Sequence, residues 1–277
     1  MSYRPMAWMA LTLSAIALPC TAIAACDPAD FTDPVRSIEQ GGMVTGRAPS
    51  GSTVTVQGQP VVVSSTGQYV FGVARDASGS IAIRVKSTCG ETGYSVAVKP
   101  RNFPVERING VPPGTANPRG AIAERIKREQ ALVTQARERN DDRQGYLERF
   151  IWPVKGRISG RFGSYRSYNG TPGAGHSGMD IAVPTGTPIK APASGIVSFA
   201  SPSLYLTGGT VVLDHGQGIS SNFLHMSRLD VKVGDVIHQG QVIGAVGATG
   251  RATGPHLHWG MNWLTTRIDP LLLLPSP

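Results

Sequence analysis

Between residues 54 and 98 the chain runs in short apolar stretches cut by turn residues. Val54 to Val56, Val61 to Val63, Tyr69 to Val73, Ile81 to Val85 and Val96 to Val98 are rich in β-branched and aromatic side chains. Their separators, Gly58-Gln59-Pro60, Ser78-Gly79-Ser80 and Gly90 to Gly93, carry turn chemistry. Ile81, Ile83 and Val85 alternate with Ala82, Arg84 and Lys86, a period of two that places one face in a core and one in water. About five strands at this spacing predict an immunoglobulin-like β-sandwich over residues 25–100. It holds no candidate site residue, so a spacer or packing module is expected.

The pattern changes over residues 101–150. Pro100 to Pro118 is proline-rich and polar and reads as a linker. Asn117 and Pro118 suit an N-cap and a first helical position. From Ala121 to Arg139 follow strong helix formers, with Ile122, Ile126 and Val133 on one side. The stripe is narrow, which predicts a helix on a surface or bridging two domains. Its charges, for example Glu124 with Arg128, read as a solvated face with i,i+4 pairs, and Asn140-Asp141-Asp142 as its end. Few contacts between the halves are expected, so a fragment beginning near Phe150 should fold unaided.

From Trp152 onward, short strands and glycine turns return, clearest at Thr210 to Leu213, Val231 to Val233 and Val242 to Val246. Length favours two domains, the second over 151–277. Gly 34 and Pro 21 in 277 residues fit a turn-rich β-protein rather than a low-complexity chain. The net charge of +8 suits an anionic polymer as partner. No dense Lys/Arg run with interleaved aromatics occurs, so nucleic acid is not the expected one.

The first 24 residues read as a signal peptide. Arg4 gives a positive start, Met6 to Pro19 an apolar core too short to span a bilayer, and Ala22-Ile23-Ala24 a small-x-small cleavage site. No later run reaches transmembrane length. The mature chain is therefore expected outside the cytoplasm, in the periplasm or cell envelope. Cleavage removes Cys20 and leaves Cys26 and Cys89, which predicts one disulfide. The alternative is a lipid on Cys26, since Ile23-Ala24-Ala25-Cys26 places small residues before the cysteine.

The candidate chemistry lies in the histidines. His256 and His258 are two apart, so on a strand both face the same way, and both can address one metal. Upstream, His176 and Asp180 precede the strand-like Ile181-Ala182-Val183. Two imidazoles and one carboxylate leave a fourth position open, as catalytic zinc requires. Spacing alone does not choose between His256 and His258. His215 after Asp214 reads as structural, and His238 beside Gln239-Gly240 as an exposed turn residue.

With Asn222-Phe223-Leu224-His225-Met226 between these motifs, residues 152–270 resemble the lysostaphin-type (LytM-type) zinc metallopeptidases, a family that cuts peptides of bacterial cell walls. Gly160-Arg161-Phe162-Gly163, Pro184 to Ile189 and Gly247 to Gly250 resemble further runs of that family. Phe223 departs from it, standing where many members have tyrosine. The resemblance implies an antiparallel β-sheet domain holding one zinc per chain through His176, Asp180 and His258. It casts His225 and His256 as flanking catalytic residues and peptidoglycan peptides as substrate. Two other functions are compatible with the fold, a non-catalytic wall-binding regulator and a peptidase of exported proteins.

Overall fold

The computed structural model describes residues 35–88, 90–110 and 118–275. The signal segment, Asn117 and both halves of the expected Cys26–Cys89 disulfide lie outside the described residues. The protein is mainly β, as its pattern predicts.

The N-terminal strands are β1 (Ser37–Glu39), β2 (Met43–Arg47), β3 (Thr53–Val56), β4 (Gln59–Val61), β5 (Gln68–Gly72), β6 (Ser80–Ser87) and β7 (Gly90–Lys99). They form a five-stranded sheet, β1-β7-β6-β3-β4, and a separate β2-β5 pair. In β6 the expected alternation holds, with Ile81, Ile83 and Val85 buried. Gly90 to Gly93, expected as a turn, is the start of β7 and pairs with β6 as far as Ser87↔Gly90. The extra reach comes from the ladder itself, because every residue from Ser80 to Ser87 finds a partner in β7. The two sheets share one apolar core. Their order, with β1 parallel to β7, does not confirm an immunoglobulin-like sandwich.

The expected linker is not bare. It carries β8 (Val105–Ile108) and the helix α1 (Gly120–Gln135). The helix starts with Arg119 as N-cap and ends before the acidic Asp141-Asp142 pair. Its i,i+4 ion pair joins Arg125 to Glu129 at 2.7 Å, one residue along from the expected Glu124–Arg128 pair. Only Ile126 of its stripe is buried, while Ile122 is exposed. The following segment packs Tyr146 and Phe150 into the C-terminal core.

The C-terminal half comprises β9 (Arg157–Gly160), β10 (Tyr165–Tyr168), β11 (Thr171–Gly175), β12 (Met179–Ala182), β13 (Pro188–Lys190), β14 (Gly195–Leu204) and β15 (Gly208–Gly216). After them come β16 (Ile219–Met226), β17 (Arg228–Leu229), β18 (Val236–Ile237), β19 (Val242–Ala245), β20 (Leu257–Trp263) and β21 (Thr266–Ile268). An antiparallel sheet ordered β18-β14-β15-β16-β20-β12-β9, with β21 on β20, is its backbone. Every residue of β15 is buried, since this strand has a neighbour on each side and a covered layer on each face. In a smaller sheet, β8 pairs in parallel with β10 and aligns Glu106 with Arg166. The segment read as linker therefore completes a sheet of the C-terminal half.

The two halves are also joined by packing, contrary to the expectation of few contacts. Val70 of β5 belongs to the C-terminal core. Trp263 packs on both cores and meets Phe71 edge-on at 6.4 Å. Arg101 forms a 2.8 Å ion pair with the buried Asp269. An ion pair shielded from water on one side adds orientation to the apolar contact. Among the described residues, no helix is long and apolar enough to cross a membrane.

Candidate metal centre

Three adjacent strands bring the predicted residues together. In the ladder, Asp180 of β12 lies opposite His258 of β20, and His258 lies opposite Leu224 of β16. Directly opposed residues share a face, so Asp180 and His258 project to the same side. His176 approaches from the loop before β12. The result is tight: His176 Nε2 lies 3.1 Å from Asp180 Oδ1, His258 Nδ1 2.8 Å from the same oxygen, and the two nitrogens 3.0 Å apart.

These three groups fit a cation. His176 Nδ1 lies 2.9 Å from the Arg161 carbonyl; with the ring proton donated there, Nε2 is the nitrogen left to bind a cation in place of its metal-free hydrogen bond to Asp180. Burial pushes the His258 ring down to about 4, so it is neutral near pH 7. Burial raises the Asp180 carboxyl, but hydrogen bonds with His176 and His258 outweigh that and hold it well below the usual carboxylate range. Two imidazoles and an ionised carboxylate are a hard-to-borderline donor set suited to a divalent transition metal. All three side chains are buried, and their ligand atoms lie within 4.8 Å of one another.

The surroundings keep the cluster in place. A Cβ on Gly178 would meet the Trp259 carbonyl at 2.4 Å and His258 Nε2 at 2.9 Å. A Cβ on Gly160 would meet Asp180 Oδ2 at 2.6 Å. Asp180 Oδ2 is ion-paired with Arg166, which pairs in turn with Glu106 of β8 at 3.2 Å. Glu106 also accepts from the Arg161 backbone N–H at 3.3 Å. One residue of the supposed linker thus braces the supports of both His176 and Asp180.

His225 and His256 stand beside the cluster. Their rings are 4.7 Å apart, and His256 Nε2 lies 3.9 Å from Asp180 Oδ1. His225 Nδ1 donates to the Thr249 carbonyl at 2.8 Å and His256 Nδ1 to the Gly254 carbonyl at 2.9 Å. Each ring thereby keeps an acceptor Nε2. Burial, with His256 and His258 alongside, pushes His225 down to about 3. His225 reaches the site because its backbone lies at φ +62. Leu224, opposite His258, already faces the site, and strict alternation would turn His225 away. The left-handed step at the strand end swings it back.

All five predicted residues therefore meet at one cavity of about 670 Å³. Ile126, Glu129 and Val133 of α1 form one of its walls, so the helix, expected on a surface or bridging two domains, lies on the surface with one side flanking the site. Sequence reasoning missed Glu106, Arg137, Arg166 and Arg267. None belongs to a recognisable motif; Arg137 lies in the charged run Arg137-Glu138-Arg139 and Glu106 beside Arg107, so their charge does not single them out in the sequence. His215, as expected, is structural: it is buried and bonds Ser194 O and Ser221 Oγ. His238 is exposed.

Residues 174–270 match the model of peptidase family M23. A Pseudomonas aeruginosa structure described as a peptidase M23 is 34% identical over 88% of this chain and 96% of that one, with a TM-score of 0.64. The chain belongs to peptidase family M23. Among curated members it is 39% identical to the peptidoglycan DD-endopeptidase ShyA of Vibrio cholerae, over 43% of this chain and 28% of that protein. It is 34% identical to the cell division protein DipM of Caulobacter vibrioides, over 46% of this chain and 21% of that one. The chain thus spans less than a third of the length of these two relatives.

Proposed function

We propose that this protein is an exported zinc endopeptidase that hydrolyses peptide bonds in the stems or cross-links of peptidoglycan. The observation that carries the reading is the convergence of His176, Asp180 and His258 on one point, with two further imidazole Nε2 atoms beside it in an open cavity. A relative named as a peptidoglycan DD-endopeptidase supports the substrate class. Zinc bound by His176 Nε2, Asp180 Oδ1 and His258 Nδ1 would supply Lewis acidity toward a carbonyl and acidify a water.

The chain's own residues do the rest. His256 is the more exposed of the two flanking rings, and it takes the proton of the attacking water at Nε2. Water adds to the scissile carbonyl carbon, the C–N bond breaks, and the amine leaves with a proton. His225 resists holding a charge in its buried position, which suits it to hydrogen-bond the developing oxyanion or pass a proton on without storing it. Asp180, kept ionised and fixed by Arg166, holds the two ligand rings in register.

Purified sacculi incubated with the full mature chain, with and without chelator, test this reading by mass spectrometry of the released fragments. Chelator-sensitive release of peptide fragments is expected. Intact sacculi alongside cleavage of exported proteins would move the activity to protein substrates. The absence of cleavage in both would leave a wall-binding regulator.

A further inference from the structure

The cavity holds more positive charge than its metal chemistry requires. Arg137, Arg166, Arg251 and Arg267 line it, against the carboxylates of Asp180 and Glu129. Both carboxylates are already engaged, Asp180 by Arg166 and Glu129 by Arg125 and the Tyr205 N–H at 2.7 Å each. Arg137 is 8% exposed. Its Nε donates to the Val133 carbonyl at 3.1 Å, and Arg267 Nη1 donates to Asn262 Oδ1 at 3.1 Å. Among the described residues, neither guanidinium forms an ion pair with a carboxylate. Burial pushes both down, Arg137 to about 10 with Arg267 alongside. Two neighbouring cations, Arg137 buried and Arg267 half-buried, without an anion are unfavourable unless a ligand supplies one.

Their position in the sheet says where that ligand would lie. Arg267 is opposite Asn262, and Asn262 is four residues along β20 from His258, on the same face. Four residues of strand span roughly 13 Å, which is three to four residues of an extended peptide. At the same end the Asn262 side-chain amide N–H is buried and has no hydrogen-bond partner among the described residues. Of this end of the groove it is Arg137 and Arg267 that line the cavity, and two guanidinium groups side by side match a planar, doubly accepting group.

We infer that Arg137 and Arg267 form a carboxylate-binding subsite at the end of the groove away from His176, Asp180 and His258, and that the substrate is an acidic peptide whose carboxylate lies three to four residues from the bond cleaved. The inference rests on the peptidase reading for the word substrate, though not for the binding. It gives α1 a role, since Arg137 follows directly on that helix and closes the groove from its side.

The test uses soluble cross-linked peptides from purified sacculi, untreated or amidated at their carboxyl groups, and the full mature chain held metal-free with chelator. Equilibrium binding is followed by calorimetry. Amidation is expected to weaken binding to the unaltered protein about tenfold or more, the scale of one charge-assisted hydrogen-bond pair. In Arg267→Gln and Arg137→Gln the untreated peptide should bind about as weakly as the amidated one does, while Arg267→Lys recovers part of the difference. Because Arg137 is buried, its variant counts only if its melting curve matches the parent; Arg267→Gln carries the test otherwise. Equal binding of both peptides to the unaltered protein, or no binding of either, overturns the subsite. So does an unchanged preference in Arg267→Gln. Retained, carboxylate-dependent binding together with no cleavage by the zinc-loaded chain would instead sink the peptidase reading and leave the subsite standing.

Discussion

The N-terminal and C-terminal halves are both built from short strands, yet they bury very different material. Among the described residues up to Lys99, the buried polar side chains are Ser52 and Ser64. After Phe150 they include His176, Asp180, Asp214, His215, Asn222 and His258. A buried polar group costs free energy unless it is bonded. The N-terminal half avoids that cost by burying almost only apolar side chains. The C-terminal half accepts it and offsets it with fixed partners such as the Arg161 and Thr249 carbonyls. The difference separates a half chosen for packing from a half chosen for chemistry.

The sharpest way to break that contrast is at the ligands. His176→Ala, Asp180→Ala or His258→Ala should each abolish activity and stoichiometric zinc together. His225→Ala and His256→Ala should keep the metal and lose on the order of 10²-fold or more in rate. Atomic emission read beside cleavage rate separates the two groups, and a metal-free His256→Ala with a zinc-loaded His258→Ala would reverse the assignment.

A core substitution in the other half tests whether packing and chemistry are separable. Phe71 is 1% exposed and lies against Trp263, so Phe71→Ala should cost about 3–5 kcal/mol. Because Trp263 touches both cores, calorimetry should show one transition that carries the metal centre with it. Two transitions, with only the first shifted, would restore two independent domains. A fragment starting near Phe150 should likewise be poorly stable, since it exposes surface that Val70 and Phe71 cover.

Smaller effects should follow from the braces. Arg166→Gln removes the partner of Asp180 Oδ2 and should weaken zinc binding by about 10–100-fold, the usual scale for such supports. Glu106→Gln, one contact further out, should cost less. Competition with a chromophoric chelator measures both.

Acid should find the C-terminal half first. Burial pushes His215 below its ordinary 6.5, so below that pH the unfolded chain binds a proton that the folded chain refuses. Stability contributed by the neutral ring is complete above pH 6.5 and falls as pH drops toward the folded value, by at most about 1.4 kcal/mol per pH unit for this one group. Denaturant midpoints of the metal-free protein at pH 7 and pH 5 should show the loss, reduced in His215→Gln. Arg84→Ala, which removes an exposed pair with Glu91 at 3.2 Å, should change stability by under about 1 kcal/mol and leave zinc binding untouched.

Much of this was legible in the chain. The alternation of Ile81, Ile83 and Val85 is local information, and so is the common face of His256 and His258. What escaped was long-range. Val105 to Ile108 looks like linker because its strand exists only through pairing with β10. Its alternating exposure leaves no apolar run to read. Arg166 and Glu106 are sixty residues apart, and no spacing rule connects them. The narrow stripe on α1 was read correctly as narrow. What it faces is a cavity rather than a core, and a cavity wall tolerates polar residues such as Glu129 and Gln130.

The turned backbone at His225 sets a limit on what can replace it. At φ +62 a β-branched residue is disfavoured, whereas asparagine tolerates the conformation. A library screened at this position should therefore return its folded members from asparagine, aspartate and glycine before valine or isoleucine, whatever their chemistry. Transplanting the five side chains onto a regular antiparallel sheet would place His225 on the wrong surface, so the kink must travel with the ligands.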